Sequence, residues 1–183
     1  MDSTNELILS ELRESLSSIC SKDIKALEES IIHHKRVFCD GLGRSGIVMK
    51  SFVMRLSQLG IKAIDIGNII TPSFKCGDIL IISSASGESK TLEYHAKTAK
   101  EVEGTIFLIT GNISSPLAET TNNILEIKAP HKYSDLNSFS TVQPMGTLFE
   151  QTLFILCDGI VLDLMKKLNV SEKQMRQNHA NIE

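Results

Sequence analysis

The chain of 183 residues lacks several features that would assign it to a particular class of protein. It has no apolar run of about 18 residues and no N-terminal signal pattern, so we expect neither a membrane-spanning nor a secreted protein. It has no long block of lysine and arginine, and its net charge of −3 disfavours nucleic acid as the main partner. Its four cysteines are scattered without a C-x-x-C pair. This pattern indicates reduced thiols in the cytoplasm and disfavours a metal site or a disulfide.

What the chain does contain is typical of a globular protein, with 42% hydrophobic and 22% charged residues. The length predicts a single domain that can bury a sizeable core without covalent crosslinks. Hydrophobic periodicity divides this domain into an N-terminal helical leader, a core of alternating strands and helices, and C-terminal helices. The three parts span residues 1–35, 36–142 and 143–183.

The core predicts an α/β fold, a three-layer α-β-α sandwich around a parallel sheet of about five strands. Continuous apolar runs such as 78–83 and 105–110 are typical of parallel strands that helices cover on both faces. We predict strands at 35–40, 63–66, 78–83, 105–110 and 124–127. We predict helices at 4–35 with a break near Ser21, at 47–59, 92–102, 115–120 and 144–168, and from Ser171 onward.

A glycine-rich turn follows the first predicted strand and leads into an apolar helix. Gly41, Gly43 and Gly46 satisfy the G-x-G-x-x-G spacing of a dinucleotide site, and such a turn brings backbone N–H groups to a helix N-terminus that suits an anion. The bulky Arg44 before the last glycine disfavours dinucleotide binding. Asp65, however, lies at about the sequence distance at which dinucleotide-binding proteins have their ribose-binding acid. Arg44 and Ser45 are therefore candidates for binding a phosphate or sugar hydroxyls.

A second strand–turn–helix segment is dense in hydroxyl groups. Ser84, Ser86, Ser89 and Thr91, with Gly87 between them, offer hydroxyls and free N–H groups that can hold a phosphate without a lysine. One of these serines could instead simply cap the helix. Four hydroxyls in eight residues after a buried strand favour the anion site.

These two segments resemble those of the sugar isomerase (SIS) domain family, in which both loops hold a sugar phosphate. Other stretches extend the resemblance over nearly the whole chain, to the 6-phospho-3-hexuloisomerases. They are Thr71-Pro72-Ser73, Pro144-Met145-Gly146-Thr147-x-Phe149-Glu150 and Arg176-x-x-His179. The resemblance implies a tetramer that converts D-arabino-hex-3-ulose 6-phosphate into fructose 6-phosphate, as in the ribulose monophosphate pathway. It also implies substrate contacts from Gly43, Arg44, Ser45, Ser84, Ser86, Gly87, Ser89 and Thr91.

The implied reaction needs an acid/base pair and no metal or redox cofactor, because it only moves protons between carbon and oxygen. Glu150 is the candidate base, although the helix dipole alone would favour a carboxylate there. His179 is the candidate proton carrier, and we expect it to reach a neighbouring subunit's site rather than its own. His95 is expected at the surface, and the role of His131 stays open. An arabinose 5-phosphate isomerase and a non-catalytic sugar-phosphate sensor are the alternative functions.

Overall fold

The computed structural model describes residues 3–131 and 141–181, and the predicted loop at 129–142 therefore lies partly outside the described residues. Five parallel strands form one sheet in the order β2-β1-β3-β4-β5. The strands are β1 (Val37–Gly41), β2 (Ala63–Asp65), β3 (Ile79–Ser84), β4 (Thr105–Thr110) and β5 (Ile124–Glu126). The helices are α1 (Thr4–Ser17), α2 (Ser21–His33), α3 (Gly43–Gln58), α4 (Lys90–Glu101), α5 (Thr147–Lys167) and α6 (Glu172–Gln177), with a short 3-10 helix at Ala118–Thr120.

The sheet is covered on both faces, which confirms the predicted α/β sandwich. The larger core joins one face of the sheet to α1, α2, α3 and α5. The smaller core joins the other face to α4 and the 3-10 helix. All six residues of β3 are buried, as the continuous apolar run of this central strand indicates. No helix in the described part of the chain is long and apolar enough to cross a membrane.

Two of the differences between the predicted and the observed helix starts bear on the site. The third helix begins at Gly43 rather than Ile47, because Leu42 is the last extended residue, so Arg44 and Ser45 lie in the first helical turn. The long helix α5 begins at Thr147 rather than Pro144. Met145 has a positive φ of 58°, whereas residues inside a right-handed helix have a negative φ. The C-terminal helix α6 ends at Gln177, so His179 lies beyond it rather than on it.

Candidate active site

A cleft of about 400 Å³ opens at the carboxyl ends of β1 and β3, where the strand order reverses. Ligands bind at this switch point in open parallel sheets. Two segments form opposite walls: the glycine turn, residues 41–46, and the hydroxyl loop, residues 84–91. The start of α5 and His131 complete the lining. The predicted site residues that line the cleft are Gly43, Arg44, Ser45, Ser84, Ser86, Ser89 and Glu150.

The glycine turn is held by close contact between its own backbone groups. A Cβ atom at Gly46 would lie only 2.4 Å from the carbonyl oxygen of Gly41, so only glycine allows the first turn of α3 to pack against the end of β1. This contact places Arg44 and Ser45 at the cleft, with Ser45 buried and Arg44 mostly exposed. The turn therefore presents a guanidinium group beside the free N–H groups of a helix N-terminus.

The hydroxyl loop is ordered by its own serines, each of which accepts a hydrogen bond from a backbone N–H. Ser84 Oγ accepts from Gly87 N at 3.1 Å, Ser86 Oγ accepts from Glu88 N at 3.4 Å, and Ser89 Oγ accepts from Leu92 N at 3.4 Å. The third of these bonds caps α4. Because a hydroxyl that accepts still has its O–H to donate, each serine can also bind a phosphate oxygen.

Two predicted residues of this loop do not line the cleft. Gly87 is buried behind it with a φ of 67°, and a Cβ there would lie 1.9 Å from Ser115 Oγ. Both the backbone conformation and the packing at position 87 therefore require glycine. Thr91 lies in the first turn of α4 with an exposed side chain, outside the cleft lining.

Glu150 lies in the first turn of α5 and faces the cleft beside Gly146. A Cβ atom at Gly146 would be 3.4 Å from Glu150 Oε1, so the carboxylate lies close to the backbone of Gly146. Its side chain is only 17% exposed, and its Oε2 atom accepts a hydrogen bond from Arg44 Nε. A carboxylate that is partly desolvated and held by a guanidinium has the placement that a general base requires.

The structure adds His131 to the cleft, which the sequence left without a role. Burial lowers the pKa of this imidazole, and the nearby negative charge of Glu88 offsets part of that effect. The neutral form therefore dominates at neutral pH, which suits a group that both donates and accepts a proton. A histidine in a long loop gives no sequence signal for this position, because the course of the loop decides where the ring lies.

His179 lies in a different cleft, between α3, α5 and α6, with Arg55, Met175 and Arg176. Asn178 Nδ2 donates to the Gln58 carbonyl oxygen at 3.0 Å and ties this tail to the far end of α3. Since α3 runs from Gly43 to Gln58 and rises about 1.5 Å per residue, its two ends are about 20 Å apart. His179 therefore does not meet Glu150 within one chain.

The expectation that His95 lies at the surface is wrong. This residue on α4 is 29% exposed, and its Nδ1 atom is 2.6 Å from Oδ2 of buried Asp40. Asp65 orders its own loop by accepting a hydrogen bond from Gly67 N at 3.2 Å. No group of three or more His, Cys, Asp or Glu side chains that could hold a metal ion occurs within residues 3–131 and 141–181.

Comparison with known proteins gives results that agree with this geometry. The model of the SIS domain family matches residues 30–155. The 3-hexulose-6-phosphate isomerase of Bacillus subtilis (strain 168) is 38% identical over 96% of this chain and 95% of its own. The enzyme of the same name from Mycobacterium gastri is 33% identical over 100% of this chain and 92% of its own. A solved protein of Methanococcus jannaschii, whose structure was taken to infer this isomerase function, has a TM-score of 0.86, 28% identity and 98% coverage of both chains.

Proposed function

Because the chain belongs to the SIS domain family and, within it, to the 3-hexulose-6-phosphate isomerases, we propose that it interconverts D-arabino-hex-3-ulose 6-phosphate and fructose 6-phosphate. The observation that carries this proposal is the position of the Glu150 carboxylate. It lies in one cleft with two segments suited to a phosphate, the glycine turn and the hydroxyl loop. A base beside an anion site is what an aldose–ketose or ketose–ketose isomerisation requires.

The reaction moves a carbonyl group from C3 to C2 through an enediol. Glu150 removes the proton from C2 while the oxygen at C3 is protonated, and the resulting enediol loses the proton of the C2 hydroxyl as C3 is protonated. Atoms and electrons balance without any oxidant or reductant. The hydrogen bond from Arg44 Nε orients the Glu150 carboxylate within the cleft.

The phosphate group of the substrate would lie between the two walls of the cleft. The hydroxyl loop offers the O–H groups of Ser84, Ser86 and Ser89, and the N-terminus of α4 adds its backbone dipole. The glycine turn offers Ser45 and the N-terminus of α3. Apart from Arg44 on the glycine turn these are neutral donors, so the phosphate is bound here by geometry as much as by charge.

The proposed enzyme is a cytoplasmic homo-oligomer whose second proton carrier comes from a neighbouring subunit. Exposed apolar side chains on α3 and α5 support the association, because a monomer would leave them in water. They are Ile47 (68% exposed), Met54 (44%), Phe154 (43%), Ile155 (44%) and Leu162 (59%). His179 lies in the cleft bounded by these same helices. If a second copy of the chain packs against this surface, His179 can reach the active-site cleft of that copy. We expect a tetramer.

Exchange of substrate hydrogen with deuterated water tests the reaction directly. The protein should exchange the C3 hydrogen of fructose 6-phosphate for deuterium, as seen by NMR, and Glu150→Gln should not. The same exchange experiment with arabinose 5-phosphate as the substrate distinguishes this activity from that of an arabinose 5-phosphate isomerase. If the folded wild-type protein binds fructose 6-phosphate without any exchange, the chain is a sensor and not an isomerase.

Mixing two inactive variants tests the shared site. Glu150→Gln and His179→Ala subunits should each be inactive alone, and their mixed oligomers should regain a fraction of activity if His179 acts across the interface. His131→Asn is the matched control for the imidazole, because His131 lies in the cleft of its own chain. If His131→Asn abolishes activity and His179→Ala does not, His131 is the proton carrier and the shared-site proposal fails.

A further inference from the structure

Asp40 lies at the end of β1, immediately before the glycine turn, and both of its carboxylate oxygens are engaged. Oδ1 accepts a hydrogen bond from the N–H of Gly41 at 2.8 Å, and Oδ2 is 2.6 Å from Nδ1 of His95. Asp40 is only 7% exposed. A buried carboxyl group with two such partners is strongly fixed, because losing either would leave a buried oxygen without a hydrogen bond.

His95 comes from the opposite wall of the cleft. It lies within the first two turns of α4, the helix that begins at the hydroxyl loop and is capped by Ser89. Because an ionised carboxylate can only accept hydrogen bonds, Nδ1 of His95 is the donor in this pair. The ring borders a small apolar cleft. That cleft is lined mainly by Phe38, Ile66, Pro72, Phe74, Leu80 and Tyr94.

The hydrogen bond therefore ties the two walls of the site together beneath the place where the substrate binds. On one side, Asp40 fixes the peptide of Gly41, whose carbonyl oxygen packs against Gly46 at the start of α3. On the other side, His95 is carried by the same helix whose N-terminus faces the phosphate position. The pair lies outside the cleft lining, so it acts through the loops and not on the substrate.

We infer that Asp40 and His95 form a positioning pair that sets the distance between the glycine turn and the hydroxyl loop and thereby the affinity for the phosphorylated substrate. This inference rests on the proposed function for its substrate, fructose 6-phosphate. Breaking the pair allows the two walls to shift relative to each other, and each hydrogen bond to the phosphate that is lost in this way costs about fivefold in affinity. The backbone of Glu150 lies on α5, which carries neither member of the pair, so we expect binding to suffer more than the chemical step.

Two variants of His95 distinguish positioning from a purely structural role. His95→Leu removes the donor, whereas His95→Asn keeps an N–H group close to the position of Nδ1. We expect His95→Leu to raise the KM for fructose 6-phosphate about tenfold with kcat changed less than about threefold, and His95→Asn to restore most of the loss. Lys97→Ala, which removes an exposed side chain on the same helix, is the control and should match the wild type.

Calorimetric binding of fructose 6-phosphate and the melting temperature separate the possible outcomes. The inference is supported if affinity falls in His95→Leu and returns in His95→Asn at equal melting temperatures. It is overturned if His95→Leu binds as the wild type does, or if KM rises and kcat falls along with a lower melting temperature and His95→Asn gives no recovery. Because affinity is read from calorimetric binding and not from a reaction rate, a wild type that binds fructose 6-phosphate but does not react would overturn the proposed function and leave this inference standing.

Discussion

The glycine turn and the hydroxyl loop face each other across one cleft, yet they offer different kinds of group to a ligand. The turn is shaped by close backbone contact, with Gly46 packed against the Gly41 carbonyl, and it carries a charged group, Arg44, into the cleft. The loop is shaped by serine hydroxyls that accept from its own N–H groups. Its cation, Lys90, pairs with Glu93 instead of lining the cleft. One wall thus supplies charge and the other supplies neutral donors in a fixed arrangement.

The largest effect should come from the carboxylate that pairs with the charged wall. Glu150→Gln should lower kcat by about 10²–10⁴-fold with little change in KM, because it removes the base and keeps the shape of the side chain. Steady-state rates measure this effect. Glu88→Gln is the comparison, since Glu88 lines the cleft on the side of the hydroxyl loop. Equal losses in the two variants would contradict the assignment of the chemistry to Glu150.

Arg44 should give the next largest effect and should show that charge belongs to the glycine turn. Arg44→Gln should lower kcat/KM about 10- to 100-fold, because hydrogen bonds between charged groups contribute about 1.5–3 kcal/mol. Arg44→Lys should fall between this variant and the wild type, since it keeps the charge and loses the planar fork. In the wild type, KM should rise with added salt, and this dependence should weaken in Arg44→Gln. If the salt dependence of KM in Arg44→Gln equals that of the wild type, the glycine turn does not supply the charge and the difference between the two walls is refuted.

Removing a single hydroxyl from the opposite wall should have a smaller effect. Ser86→Ala should lower kcat/KM about fivefold, because a neutral hydrogen bond contributes about 1 kcal/mol. The salt dependence of KM should stay that of the wild type, because no charge is lost. If Ser86→Ala instead weakens the salt dependence as Arg44→Gln does, the two walls do not differ in the way described.

The smallest effect is expected from lowering the pH, which should reduce stability through a contact that belongs to neither wall. Glu11 on α1 accepts hydrogen bonds from Thr141 Oγ1, Val142 N and Gln143 Nε2 at 2.6–2.8 Å, and so holds the segment that leads to Met145 and α5. Burial raises the pKa of Glu11, but these hydrogen bonds outweigh it and lower the pKa below the usual 4.5.

Since its folded-state pKa is depressed, Glu11 contributes stability that is present above about pH 4.5 and is lost as the pH falls through the lower folded-state value. Melting temperatures measured from pH 6 down to about pH 3 should therefore fall more steeply in the wild type than in Glu11→Gln. Parallel curves for the two proteins would show that this contact does not titrate with folding.

The sequence alone was sufficient for the features that depend on neighbouring residues. Buried parallel strands read as continuous apolar runs, so β3 and β4 were predicted to within a residue of their observed bounds. The glycine turn and the hydroxyl loop were also evident, because glycines and hydroxyls that follow a strand act locally through backbone conformation and helix capping. The parallel order of the strands then brings both segments to one edge of the sheet.

Only the tertiary structure decided which side chains meet across long separations in the chain. Arg44 pairs with Glu150 over 106 positions, and His95 pairs with Asp40 over 55. Helical periodicity placed His95 on the exposed side of α4, because it records the average polarity of a face and not a single buried acid beneath it. His131 entered the cleft and His179 was placed at the far end of α3 for the same reason: packing of distant segments sets these positions, and no local pattern encodes it.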